Sequence, residues 1–277
     1  VIDRIFNIYE GGVRYGIKAA EIFYSGTTYF AASLIFIITI LTAFYRKRNT
    51  IYIAASLLML VMTLRSKAFG AALCYMCLVF FIFKIRKKIK IWHIAAFGIF
   101  VIDVAWNNIY FYYVLLAGKS ARSVMTLTSL QILKDYFPIG TGFGTYASHA
   151  AAVSYSPVYV MYGFQDIWEL SNQNVDAFFD DTFWPIIIAQ TGFIGIISYL
   201  IVLWNVIKKC FNLWEINRYF YAAALFVIAY LLISSIGEPA FNNSISIPLA
   251  VSLGVIFRIS ATNREDYQRL AEVNVSV

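Results

Sequence analysis

The chain has 277 residues, of which 61% are hydrophobic and only 13% charged, and its mean hydropathy is +0.70. A soluble domain is roughly half apolar and a quarter charged, so the composition excludes a water-soluble globular domain and points to an integral membrane protein. The net charge of +7 does not mark a nucleic-acid binder, because the cations fall in short clusters between apolar runs, as in polytopic membrane proteins.

Taken in chain order, residues 1–27 are mixed in charge and read as an extracytoplasmic N-terminal segment. A polar stretch opening straight onto a span is the expected start of the C-terminal part of a longer protein. Apolar runs then predict membrane spans over 28–45, 51–64, 68–83 and 91–112. A helix needs about 20 apolar residues to cross the hydrocarbon, and Thr28 to Tyr45 carries no charge at all. Ile51 to Leu64 is short, about 21 Å at about 1.5 Å per residue. Arg65 and Lys67, in the turn that follows, are therefore expected below the membrane surface, where a cation is costly and usually functional or paired. Cys74 and Cys77 form a C-x-x-C inside an apolar run, without the polar company that zinc or redox chemistry needs. They read as small packing thiols, and Asp103 in the fourth span reads as a structural partner for a cation.

A long extracytoplasmic loop is expected over 113–182. Its first part, from Ala121 to Tyr136, predicts a helix that Pro138 stops. Next comes DYFPIGTGFGTYASH, residues 135–149, with Gly140, Gly142 and Gly144 in alternation. G-x-G-x-G is not the dinucleotide fingerprint G-x-G-x-x-G, and no predicted strand precedes it. The glycines are expected to permit an irregular backbone past the helix end, with amides open to a diphosphate. The loop's Tyr, Trp and Phe residues suit sugar faces as well as membrane interfaces.

Further spans follow over 183–207, 219–236 and 244–257, ahead of a cytoplasmic tail, 258–277. Gly192 and Gly195 read as a close helix-packing pair. If each span crosses once, Arg46, Lys47 and Arg48, the run Lys84 to Lys90, Lys208, Lys209 and Arg218, and Arg258, Arg264 and Arg269 all share one side. The positive-inside rule makes that side cytoplasmic and puts the long loop outside.

The outer face then holds the candidate chemistry. Arg122 opens the loop helix with the planar fork suited to a diphosphate; taken alone, a surface ion pair is the better explanation. Asp180 and Asp181 precede a span, where a carboxylate serves as a helix cap or as a general base for a sugar hydroxyl. Glu238, in the turn SSIGEPAFNNS, is a second candidate acid. His149 is the outer histidine, a candidate base. There is no metal-ligand cluster, no nucleophile triad and no sign of a cofactor.

Three segments, LRSKAFGAAL (64–73), ARSVMTLTSLQILKDYFPIGTGFGTYAS (121–148) and DDTFWPIIIAQTGFIGIISYLIVL (180–203), resemble in order and spacing the O-antigen polymerase and ligase superfamily. The pattern is most similar to Wzy-type polysaccharide polymerases. GGVRYG (11–16), with Arg14, looks like that family's pattern before the first span. The resemblance implies an all-α, GT-C-like polytopic helical bundle with one long extracytoplasmic loop. It implies a metal-independent glycosyltransferase in the bacterial cytoplasmic membrane, acting on its outer face. The donor and acceptor would be oligosaccharides on undecaprenyl diphosphate, with membrane lipids and a chain-length regulator as further partners. On the motif match, Arg65 and Arg122 hold the diphosphate leaving group, with Lys67 and Arg14 adding charge. Asp181 stands where the ligase branch has a histidine and asparagine, which weakens a ligase reading and leaves Asp181 a positional match for the base. Asp180, Gly142, His149 and Glu238 complete the expected substrate contacts. A ligase of finished glycan and a lipid-linked oligosaccharide flippase are the rival expectations, although no internal repeat of the transporter kind is evident.

Overall fold

The computed structural model describes residues 13–14, 16–20, 24, 26–90, 92–93, 106, 110–111, 120–173, 179 and 183–275. The expected span 91–112, with Asp103, lies almost wholly outside the described residues, as do Asp180 and Asp181.

The described chain is all-helical apart from one small hairpin. Two-residue strands, β1 (Val13–Arg14) and β2 (Ile17–Lys18), pair antiparallel with Arg14 opposite Ile17. The helices are α1 (Thr27–Ala43), α2 (Asn49–Met62), α3 (Ser66–Val79), α4 (Ala121–Asp135), α5 (His149–Val153), α6 (Pro157–Met161), α7 (Trp184–Asn212), α8 (Arg218–Ser234) and α9 (Ser246–Val275). A π-helical turn, Phe80–Lys84, prolongs α3, so the helix expected over 68–83 runs from Ser66 to Lys84. Likewise α9 runs on through most of the segment expected to be a separate tail.

Among the described residues, Ser66–Lys84 and Trp184–Glu215 are long and apolar enough to cross a membrane; Thr27–Ala43, Asn49–Met62, Arg218–Ser234 and Ser246–Thr262 are apolar but shorter. Their outward faces are greasy. Ile201, Val202 and Trp204 on α7, Ile51 and Leu58 on α2, and Met76 on α3 are all exposed. Exposed large apolar side chains in such numbers on one helix belong against lipid or a partner. Buried hydroxyls are satisfied within their own helices, as with Thr39 Oγ1 donating to the Ile35 carbonyl at 2.8 Å.

The chain forms two compact units. The first comprises Val1–Ile89, Val206–Ile233 and Asn243–Val277, and the second Lys90–Asn205 and Ser234–Asn242. These boundaries depart from the expected division at 112 and 182. The loop shares a unit with the start of α7 and with the turn that holds Glu238.

In the first unit α1, α2 and α3 pack as consecutive antiparallel neighbours and α9 packs on α1. Helix α8 is buried nearly all round, with Tyr221, Ala223, Ala224, Phe226 and Val227 inaccessible. Asn217 caps it, its side-chain oxygen accepting from Tyr219 N at 2.8 Å, as an N-cap asparagine does. Three of the cation clusters meet at one end of this unit. Tyr45 stacks on Tyr219 at 5.0 Å, Phe83 contacts the same ring at 4.8 Å, Lys88 lies 3.9 Å from Glu215, and Arg218 sits over Trp214 at 4.9 Å. The turn Phe44–Arg48, the segment Lys84–Lys90 and the connection before α8 are thus gathered together.

Candidate functional site

Arg65 stands at the other end of the first unit, between α2 and α3. Leu64 takes a left-handed φ of 54°, which turns the chain sharply, and Arg65 is extended where it caps α3. Its carbonyl accepts the first helical bond, from Phe69 N at 3.1 Å. Its side chain is half-buried, and Nη1 donates to the Thr28 hydroxyl at the start of α1. Lys67 follows in the first turn of α3, also half-buried. The hairpin strand bearing Arg14 belongs to the same unit and is described by its backbone alone. Ala20 N bonds the Met62 carbonyl at 3.0 Å, which ties the chain after the hairpin to this end.

The second unit is built around an aromatic core. Tyr159 stacks on Phe164 at 5.1 Å and on Phe179 at 4.6 Å, and Tyr146 meets both Tyr159 and Phe164. Met125, Ile132, Leu170, Ile186 and Ala189 complete it. The buried phenols are hydrogen-bonded, as they must be. Tyr146 donates to the Met125 carbonyl at 2.7 Å, and Tyr159 accepts from Ala147 N at 2.9 Å. Burial holds the Tyr146 phenol well above the ordinary tyrosine range, with the neighbouring Tyr159 adding to it. Tyr162 is likewise raised, first by desolvation and then by its 2.7 Å hydrogen bond to Asp135. The loop's aromatic content is therefore largely core, not sugar platform. Phe143, Trp168 and Phe137 remain 88%, 70% and 64% exposed.

Helix α4 begins one residue before Arg122, with Ser120 as its cap, and ends one residue short of the expected Tyr136. Ala121 N donates to the Glu169 carboxylate at 2.6 Å, so a protein carboxylate already occupies the positive end of this helix. Arg122 is half-buried there. Two further candidates lie in this unit. His149 is exposed in the first turn of the short α5, and Glu238 is half-buried in its turn, its carbonyl accepting from Ala240 N at 2.8 Å.

The glycine run proves to be a clasp. Helix α7 is broken at Gly192, whose φ of 58° and ψ of −157° are not helical. A break in an apolar helix leaves backbone groups that another segment must satisfy. The loop supplies them. Thr141 N donates to the Ala189 carbonyl at 2.9 Å, Gly142 N to the Gln190 carbonyl at 3.0 Å, and Ile194 N to the Pro138 carbonyl at 3.2 Å. Gln190, buried within α7, adds its side chain. Its Oε1 accepts from Gly144 N at 3.0 Å, and its Nε2 donates to the Tyr146 carbonyl. The backbones approach so closely that a Cβ at Gly140 would lie 2.5 Å from the Ala189 oxygen, and one at Gly192 would lie 2.5 Å from Gly140 N.

Two expectations are corrected by this geometry. Among the described residues Gly192 and Gly195 do not form a helix–helix packing pair. Gly192 receives the loop backbone, and Gly195 leaves room for the Thr191 side chain of its own helix. Nor do the loop glycines offer amides to a diphosphate. Gly140 N bonds the Tyr136 carbonyl at 2.9 Å, and the Gly142 and Gly144 amides are engaged by Gln190. Gly142 thus contributes by shape, with open space where its Cβ would stand.

Gln190 and Glu169 are the residues that sequence reasoning passed over. A lone glutamine in an apolar run is a signal in retrospect, because a buried amide needs partners. Gln190→Leu is expected to lower the thermal stability of the purified protein by about 1–3 kcal/mol, the cost of leaving buried polar partners unsatisfied. Circular dichroism melting in detergent reads the effect, and an unchanged midpoint would contradict it.

No protein-family model matches the chain, and no curated protein or solved structure matches it significantly.

Proposed function

We propose that this chain is part of a Wzy-type polymerase, a multi-pass protein of the bacterial cytoplasmic membrane with a GT-C-like bundle. In this reading it transfers a growing glycan from undecaprenyl diphosphate to a hydroxyl of the next lipid-linked repeat unit, on the outer face. The observation that carries the reading is Arg65, a half-buried guanidinium at the end of the first unit opposite three gathered cation clusters. By the positive-inside rule those clusters mark the cytoplasmic end. Helix α2, leading to Arg65, is 14 residues long, about 21 Å, against a hydrocarbon core of about 30 Å. Arg65 is thereby recessed from the outer surface, where a retained cation calls for an anionic partner.

The chemistry asks for little more. Breaking the bond from sugar to diphosphate places charge on the leaving oxygen, and fixed guanidinium groups stabilise it. Arg65, with Lys67 two residues on, is the candidate source of that charge in the first unit, and Arg122 is the candidate in the second. A carboxylate, for which Asp181 is the candidate, accepts the proton of the incoming hydroxyl. The clasp holds the loop to α7, so that the start of α4 has a fixed position within its unit.

The test is the size distribution of surface glycan in the native host. Deletion of the gene is expected to leave single repeat units. The restored full-length gene carrying Arg122→Ala is expected to be made and inserted yet not to return long chains. Long chains that persist on the lipid carrier would replace polymerase by ligase, and failure of single units to reach the outside would indicate a transporter.

A further inference from the structure

We propose that the first unit binds an anionic phospholipid, its acyl chain seated between α2 and α3 at the end where the cation clusters meet. The inference rests on the chain's residence in a bilayer and not on polymerase activity. A cavity of about 720 Å³ opens there, with Ile53, Ala54, Leu57, Met76, Val79 and Phe80 on its walls. Four of the hydroxyls that reach it are paired with one another. Thr42 bonds Tyr75 at 2.8 Å, and Tyr45 bonds Thr50 at 2.8 Å. What the bore presents is therefore mainly hydrocarbon, with the Tyr219 ring and Lys84 also on its lining. From Thr50 to Leu57 it extends about 10 Å along α2, which suits part of an acyl chain. Met76 and Phe80 on its wall are themselves exposed, so an occupant can enter sideways from the bilayer.

The mouth has a definite charge. Lys84 lines it, brought there with Phe80 and Phe83 by the π-helical turn. Turns of this kind recur at functional sites. Exposed Arg46, Lys47 and Arg48 lie in the turn that holds Tyr45, and exposed Arg86, Lys87 and Lys88 follow Lys84. Glu215 is the one acid among the described side chains of this unit, and it lies beside Lys88. An apolar slot with Lys84 on its lining and cations that outnumber the described acids nearby complements a lipid with an anionic headgroup. A zwitterionic lipid would fill the slot without answering the charge.

The full chain, purified in detergent, is offered phosphatidylglycerol and phosphatidylcholine with identical acyl chains, and retained lipid is read by native mass spectrometry. Phosphatidylglycerol is expected to be favoured by more than about tenfold, and Lys84→Gln to lower that preference about fivefold, the worth of one lysine beside an anionic surface. Ala54→Trp, at an exposed wall position, is expected to cut retention of phosphatidylglycerol about tenfold by displacing about two methylenes from the slot. Equal retention of the two lipids by the native chain overturns the proposal, as does full retention by the tryptophan variant or a co-purifying polypeptide that protects the slot. If the tryptophan variant does not fold, Lys84→Gln decides: an unaltered preference refutes the site. None of these outcomes bears on glycan length, so the site and the polymerase reading stand or fall separately.

Discussion

Gly192→Ala is expected to release the loop from α7, while Gly254→Ala, also in an apolar helix, leaves the protein unchanged. Gly192 combines two constraints. Its φ of 58° and ψ of −157° approach a region of backbone space that is essentially reserved for glycine, so an alanine there costs about 1–3 kcal/mol from conformation alone. Its Cβ would also stand 2.5 Å from Gly140 N and from the Pro138 carbonyl. Backbone cannot rotate away as a side chain can, so the clasp must open and the bonds of Thr141, Gly142 and Ile194 are lost with it. Gly254 meets nothing within 4 Å and has no such conformation. Gly142→Ala separates the two constraints, because its φ is +95° but its Cβ direction is open. It is expected to cost about 1–3 kcal/mol without opening the clasp. Limited proteolysis of the full chain in detergent reads the result. Cleavage in the 138–146 segment should rise sharply in the Gly192 variant, modestly in Gly142 and not at all in Gly254. Equal protection of all three would mean that the loop is not held at the helix break.

The same clasp shows what the sequence could and could not disclose. Charge-free runs located α1, α7 and α8 to within a few residues, because apolarity is a local property of each run. Pro138 marked the region where α4 stops, since its ring and missing N–H act on its immediate neighbours. The partners of the glycines were not legible. Thr141 and Ala189 are 48 residues apart, and a backbone-to-backbone bond across that distance leaves no periodicity in either segment. Alternating glycines look the same whether their amides face a phosphate or a carbonyl. The aromatic loop misled for a related reason. Tyr159 and Phe164 suit a sugar face and a small core equally well, and only burial separates the two. Arg65 stood out in the sequence as a cation between apolar runs, but its bond to Thr28 joins helices whose contact no local pattern records. The pairing of β1 with β2 is too short for its alternation to register.

Arg65→Lys should be nearly as damaging as Arg65→Ala if this residue holds a diphosphate. The substitution keeps the charge but removes the planar fork that grips two oxygens at once. Thr28, which accepts from Nη1, fixes one arm of that fork, so the guanidinium is aimed before any substrate arrives. A lysine has no second arm to aim. Loss of a group that stabilises a developing oxyanion costs about 10²–10³-fold in turnover. Both variants are therefore expected to shorten surface glycan to the first few repeats in the native host. With purified full-length protein and lipid-linked repeat units, the loss should fall mainly on kcat and less on KM. Thr28→Val tests the aiming. It removes only the hydroxyl that orients the fork, and a loss of about tenfold is expected, within the range that misplacement of a catalytic group produces. A structural role for Arg65 makes the opposite set of forecasts. Lysine would then restore chain length, because a charge that only needs a hydroxyl partner can be met by an ammonium. The alanine variant would lose membrane abundance in step with activity, through the unsatisfied Thr28 and the loosened junction of α1 with α3. Abundance and chain length measured on the same cells separate the two, and activity lost at full abundance is the result that keeps Arg65 in the chemistry.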